Sequence, residues 1–305
     1  MSLLVLSEHE VERLLTMDDC IEAMTDALAA LARGELYQPL RFVLRPPEAS
    51  GLMGFMPAHR AGADGGAFSL KEIMVVPGNP ARGLDAHQGG VLLHDGETGE
   101  LRALLNASPI TAIRTAAVSA VATRTLARSD ARTVAIIGTG VQGKSHAAAM
   151  RAVLVEPEIR MWSRSTDGSA EDVVRGADVV CTCTTSAEPV LSREWLAPGT
   201  HVNAVGASLP RARELDEETI RAATLVVDRR ESALNEAGEL LIPGLGEEQI
   251  AAELGDVLIG SHPGRTGDDE LTVFKSLGLG VEDLAAAELV VTRAREQGAG
   301  VEVDF

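Results

Sequence analysis

Two groups of residues in this chain have types and spacings suited to chemistry. The first is "GTGVQG", which sets Gly138, Gly140 and Gly143 as G-x-G-x-x-G directly after the apolar run "TVAII" and before an Ala-rich helical stretch. In that context the first glycine permits a tight turn, the second lets the backbone approach a pyrophosphate, and the third allows close helix–strand packing. Val141 and Gln142 then stand at a helix N-terminus whose amides face the phosphates. About twenty residues on, an NAD site places an acid on the ribose hydroxyls. This chain has Ser163, Arg164 and Ser165 there, in "MWSRS". A carboxylate would repel a 2′-phosphate, whereas an arginine flanked by hydroxyls binds one, so the segment reads as a clamp for NADP(H). NAD(H), with Arg164 merely stacked on the adenine, is the lesser alternative.

The second group is cationic. Arg41, Arg45 and Lys71 lie in a strand-rich region, and Arg114 lies in the helix preceding the nucleotide fold. Lys71 sits among apolar neighbours in "AFSLKEIMVV". Charges at such positions are either edge residues snorkelling to solvent or ligands for a small anion.

The elements that must carry these residues fall into two patterns. "LSEHEVERLL" opens with a capping box, Ser7 and Glu10, and "TMDDCIEAMTDALAALARGE" places Met17, Cys20, Ile21, Met24, Leu28 and Leu31 on one helical face before a stop at Gly34. From about Pro39 to Leu105 short strand-like runs are separated by turns, which predicts an antiparallel β-rich domain. "SPITAIRTAAVSAVATRTLARSD" is a long helix with Ser108 or Thr111 as its cap. From Thr133 onward apolar strands alternate with helices, which predicts a parallel sheet covered on both faces. The expected fold is α/β: a Rossmann-type doubly wound sheet over residues 113–284, and a discontinuous β-rich domain over 1–112 with 285–305, completed by the final helix folding back.

Composition limits the partners. A net charge of −18 argues against nucleic acid and anionic membranes and suits a cytoplasmic protein, and no leader-like or membrane-length apolar run is visible. Three cysteines imply no disulfide framework; Cys181 and Cys183 should share one face of a buried strand. The seven histidines show no metal-site spacing, so no metal is expected.

Longer motifs sharpen the functional reading. "KEIMVVPGNPARGLDAHQGGVLLHDGETGELRALLNASPITAIRTAAVSAVATRTLA", "VAIIGTGVQGKSH", "HVNAVGASLPRARELD", "VVDRRESALNEAGEL" and "TVFKSLGLGVEDLAAA", in this order, resemble the ornithine cyclodeaminase/mu-crystallin family from about residue 36 to the C-terminus. The resemblance implies a homodimer joined through the β-rich domain and a Rossmann domain binding NAD(P). It further implies that Arg45 and Lys71 bind a small imino- or amino-acid substrate, that Arg114 holds its carboxylate or reaches the cofactor, and that Thr184 and Leu279 line the nicotinamide side. Deaminating members carry an acid/base aspartate two residues after the "NAVG" turn, where this chain has Ser208. The mu-crystallin branch, whose members are NADPH-dependent ketimine reductases, also has serine there. The expectation is therefore NADPH-dependent reduction of a C=N bond in a cyclic ketimine acid such as pyrroline- or piperideine-2-carboxylate. Lys71 would supply or relay the proton, and Ser208 would orient substrate or water. Alternatives are an amino-acid dehydrogenase, an ornithine cyclodeaminase, and an NADPH-dependent small-ligand-binding protein without turnover. Asp228 of "VVDRRES" ends a strand and is expected to be structural. Two departures stand out. Ala86 replaces a hydroxyl residue found in many members, and only "STDGS" follows Arg164 where the family has a further helix and strand. Either the sheet is cut down there or residues are missing from the chain.

Overall fold

The computed structural model describes residues 2–63 and 65–305. The chain begins with β1 (Ser2–Leu6), α1 (Glu8–Leu14) and α2 (Met17–Ala32). The capping box at Ser7 and Glu10 forms at the start of α1. α2 ends in a Schellman motif: Gly34 adopts a φ of +77°, its N–H bonds the Leu31 carbonyl, and the Glu35 N–H bonds Ala30. Then come β2 (Leu36–Tyr37), β3 (Phe42–Leu44), β4 (Leu52–Arg60), β5 (Ala67–Val75), β6 (His87–Asp95), β7 (Leu101–Asn106) and α3 (Ala107–Leu126). The cap of α3 differs from expectation. Asn106 Oδ1 accepts the Ser108 N–H at 2.9 Å, so the shorter-reaching amide takes the capping bond and Ser108 and Thr111 lie inside the helix.

Strands and helices then alternate through β8 (Thr133–Ile137), α4 (Val141–Val153), β9 (Glu158–Trp162), α5 (Ala170–Val174), β10 (Val179–Thr182), β11 (His201–Ala204), α6 (Glu217–Ala222) and β12 (Thr224–Val227). They continue through α7 (Arg230–Glu236), α8 (Gly238–Leu241), β13 (Ile250–Glu253), α9 (Leu254–Leu258) and β14 (Thr272–Lys275). The chain closes with α10 (Gly280–Gln297) and β15 (Val301–Asp304). Two compact units result, residues 1–114 with 279–305 and residues 115–278.

The first unit is built on an eight-stranded sheet ordered β15-β1-β7-β6-β5-β4-β2, with β3 on β4. Its pairs are antiparallel except β1 with β7. The two short strands at the chain ends, β1 apolar and β15 an exposed Val-Glu-Val-Asp, extend the β-rich region: Ser2 pairs with Asp304. One face of the sheet carries α10, whose buried stripe includes Val281, Leu284, Ala287 and Val291. Gly280 is needed there, because a Cβ would come within 2.9 Å of the Pro57 carbonyl oxygen on β4.

The second unit is a seven-stranded, all-parallel sheet ordered β13-β12-β14-β11-β10-β8-β9, the Rossmann-type doubly wound arrangement. β10 and β11 are buried at every position, as strands covered on both faces must be. β13, hidden in the polar "GEEQIAAEL", is a seventh strand that the apolar pattern did not announce. The short segment after Arg164 has a direct structural consequence. β9 is the edge, a turn over residues 163–169 leads straight to α5, and among the described residues no strand lies beyond β9. The sheet is cut down on that side by one position of the usual 3-2-1-4-5-6 order.

Candidate active site

The dinucleotide cradle sits where the strand order reverses, at the carboxyl ends of β8 and β10. Gly138 has a φ of +121°, and a Cβ on it would stand 2.5 Å from the Cys183 carbonyl oxygen. A Cβ on Gly143 would stand 2.0 Å from the Gly138 oxygen, so α4 presses directly on the turn. A Cβ on Gly140, the N-cap of α4, would meet nothing within 4 Å. Two glycines are thus fixed by packing, while the third faces open space at the amino end of a 13-residue helix that also carries Val141 and Gln142. That is the surface a pyrophosphate requires, and the residues fit a dinucleotide.

Beyond β9, hydroxyls gather around a cation. Thr139 Oγ1 donates to Ser163 Oγ at 3.1 Å, Ser163 and Ser165 share a hydrogen bond of 2.9 Å, and the Ser163 N–H donates to Thr166 Oγ1 at 2.9 Å. Arg164 is exposed and reaches the Ser186 hydroxyl at 3.4 Å, with no carboxylate in ion-pair range among the described residues.

At the far ends of β10 and β11 lies a network that sequence reasoning missed. Glu214 is fully buried. Its Oε1 accepts the Thr184 N–H and hydroxyl, both at 2.7 Å, and its Oε2 accepts the Thr182 hydroxyl at 2.8 Å and the Gly206 N–H at 2.6 Å. Burial pushes its carboxyl above the usual range, opposed by the Lys275 ammonium and the threonine donors. The Glu214 N–H donates to Glu239 Oε1 at 3.0 Å; Glu239 pairs with Lys275 at 3.1 Å; and Lys275 Nζ donates to the Ala207 carbonyl at 2.5 Å. Ser208 follows directly, half-buried. Asp228 is occupied as expected: Oδ2 accepts the Leu277 and Gly278 N–H groups at 2.6 and 2.8 Å, and Oδ1 accepts that of Arg229 at 2.8 Å.

The first unit holds the charged cluster. Lys71 and Arg114 are 1% and 4% exposed, so each needs a partner. α10 supplies both. Lys71 Nζ lies 2.8 and 2.7 Å from the two Asp283 oxygens, Arg114 Nε 3.0 Å from Asp283 Oδ1, and Arg114 Nη1 2.8 Å from Glu282 Oε2. Glu282 and Asp283 lie in the first turn of α10, where the helix dipole favours negative charge. Gln38 completes that turn by accepting the Val281 N–H at 3.0 Å. Burial, then the nearby Arg114, lowers the Lys71 pKa to about 8, with Asp283 working in the opposite direction. Of the other cations, Arg41 is half-buried and acts on Lys71, whereas Arg45 is exposed just after β3 and is not drawn into the cluster. Leu279 is buried immediately before α10, and Thr184 is half-buried on Glu214. The signal for Glu282 and Asp283 was present: two carboxylates inside the otherwise apolar "LGLGVEDLAAA". Among the described residues no group of three His, Cys, Asp or Glu could hold a metal ion, and no helix is long and apolar enough to cross a membrane.

A parallel sheet with a glycine cradle at its switch point, joined in one chain to an antiparallel unit with buried, paired cations, defines a two-unit dinucleotide-binding protein of the oxidoreductase type. The family model for the ornithine cyclodeaminase/mu-crystallin family matches residues 1–298, and the chain belongs to that family. It is 40% identical over 305 residues to the ketimine reductase mu-crystallin of Mus musculus, covering 93% of this chain and 95% of the relative. Among solved structures it resembles the Delta(1)-pyrroline-2-carboxylate reductase of Thermococcus litoralis in complex with NADH and L-proline, at 35% identity and a TM-score of 0.94, covering 98% of this chain and all of the other. An archaeal alanine dehydrogenase dimer with bound NAD is similar at 32% identity and a TM-score of 0.94, covering both chains fully.

Proposed function

We propose that the protein reduces the C=N bond of a small cyclic imino acid, using NADPH in preference to NADH. The observation that carries this reading is Lys71: a buried ammonium with a pKa near 8, held on Asp283 beside Arg114. A ketimine accepts hydride only once its nitrogen is protonated, and a donor titrating close to neutral pH suits that step. Lys71 gives up its proton to the imine nitrogen, and Asp283 steadies the ammonium beforehand. Arg114, its guanidinium plane fixed by Glu282 and Asp283, and Arg45 attract the substrate carboxylate. Ser208, standing where deaminating members of the family carry aspartate, orients substrate or water and takes up no proton, which favours reduction over release of ammonia. Gly138, Gly140, Val141, Gln142 and Gly143 hold the pyrophosphate, with Thr184 and Leu279 on the nicotinamide side; Ser163, Arg164 and Ser165 hold the 2′-phosphate. When bound, the reduced dinucleotide supplies the hydride.

The preference for NADPH is supported by Arg164, an exposed arginine in a chain of net charge −18 that has no carboxylate partner among the described residues and stands between the hydroxyl residues Ser163 and Ser165. A homodimer goes with this reading. The sheet face opposite α10 exposes Phe42 and Phe68, stacked on Phe55 and His59 with ring centroids 5.9 and 4.4 Å apart. A cytoplasmic setting also fits, since Cys20, Cys181 and Cys183 are free thiols. The test is NADPH oxidation with pyrroline-2-carboxylate or piperideine-2-carboxylate, run against ornithine or alanine with NAD(P)+. Rapid loss of NADPH absorbance is expected, and ammonia release from an amino acid would refute the reading.

A further inference from the structure

At the carboxyl end of the parallel sheet two connections are tied together by a buried carboxylate that the reaction itself does not consume. Four donors converge on Glu214: the Thr182 hydroxyl, the Thr184 hydroxyl and N–H, and the Gly206 N–H, all between 2.6 and 2.8 Å. Thr182 and Thr184 come from the end of β10 and Gly206 from the segment after β11. Among the described residues these two connections are also joined by strand-end backbone bonds, from the Val205 and Gly206 N–H groups to the Thr182 carbonyl. The approach is so close that a Cβ on Gly206 would stand 2.1 Å from the Thr184 oxygen and 2.6 Å from Glu214 Oε1. The clamp extends outward, through Glu239 to Lys275, whose ammonium holds the Ala207 carbonyl one residue before Ser208.

We infer that Glu214 is a positioning residue: as a carboxylate it locks Thr184 to Gly206, and with the Glu239–Lys275 pair it fixes the backbone that presents Thr184 and Ser208. This deepens, and rests on, the reading of this end of the sheet as the nicotinamide side. Each oxygen of Glu214 accepts one backbone N–H, from Thr184 and from Gly206, so an amide in its place would turn its NH2 toward one of those donors. Among the described residues Gly138, Gly140 and Gly143 make no hydrogen bond to Glu214, Glu239 or Lys275, so the clamp acts first at the reacting end of the dinucleotide.

The test is Glu214→Gln, read in two ways. In the protein without dinucleotide, amide hydrogen exchange at Thr184 and Gly206 should quicken by about tenfold or more while most of the sheet keeps its protection. In turnover, kcat should fall by about tenfold to 100-fold, as a misplaced reacting group demands, with the dissociation constant for NADPH nearly unchanged. Unchanged exchange at both amides overturns the inference, as does faster exchange accompanied by wild-type kcat. If Glu214→Gln fails to fold, Thr182→Val removes a single donor and carries the same exchange measurement. Should the wild-type protein bind NADPH yet reduce no imine, the proposed reaction fails, while the exchange result still decides whether Glu214 holds the two connections.

Discussion

In the first unit the buried cations Lys71 and Arg114 are held by side-chain carboxylates; in the second the buried carboxylate Glu214 is held by backbone amides and threonine hydroxyls. The two solutions differ in what they allow. A salt-bridged lysine can pass a proton and recover it, and its partners tune the pH at which it does so. A carboxylate ringed by N–H and O–H donors is a fixed acceptor whose value lies in geometry. On the proposed reading, proton handling falls to Lys71 in the first unit, and Glu214 in the second holds atoms in place.

Replacing Lys71 with Met strikes the comparison hardest. Turnover should fall by about 10²–10⁴-fold, the contribution of a positioned acid, and steady-state NADPH oxidation checks it. Asp283→Asn breaks the same pair from the other side. Leaving a buried charge uncompensated should cost about 3–5 kcal/mol in chemical denaturation. It should also shift the alkaline limb of the rate profile to lower pH, because the group that raises the Lys71 pKa is gone. In the unaltered protein that limb should fall as pH rises through about 8, where Lys71 loses its proton, with Arg41, Arg114 and Asp283 as the charged neighbours and His87, its pKa lowered by burial, neutral there.

The second unit should show its own acid sensitivity without any catalytic lysine. His146 and His201 are held neutral by burial, at about 4 and about 3 against an ordinary 6.5. As pH falls below about 6.5 the unfolded chain takes up these protons first. The stability present above that pH then drains away at up to about 1.4 kcal/mol per pH unit for each ring, until the folded values are reached. Urea denaturation at pH 7 and pH 5 checks the slope. The smallest effect is at the cofactor's adenosine end. Arg164→Ala should raise the KM for NADPH by about tenfold and leave that for NADH unchanged, as loss of one charge-assisted contact implies.

How far the sequence could be read follows the same division. The cradle was legible because backbone does the work there: glycines at fixed spacing are the only residues that permit Gly138 its φ and Gly143 its approach, so the constraint is written locally. Lys71 and Arg114 stood out by type, as snorkelling edge charges or anion ligands, but neither their burial nor their partners were legible. Asp283 lies 212 residues from Lys71 and 169 from Arg114, and nothing local couples them. Glu214 was hidden in "RARELDEE", where charge reads as a solvated surface until β10 and β11 close around it. Arg45 differs from both: singled out for its type and its resemblance, it stands exposed just after β3, and its proposed role rests on the resemblance.

Shortening the sheet has one more consequence. With no strand beyond it among the described residues, β9 presents a rim of main-chain groups, the kind of edge along which chains stack into aggregates. The strand reads "EIRMW", and its Glu158 and Arg160 pair with each other at 2.8 Å along that rim. Charge on the border strand thus opposes the edge-to-edge pairing that a further strand would otherwise prevent.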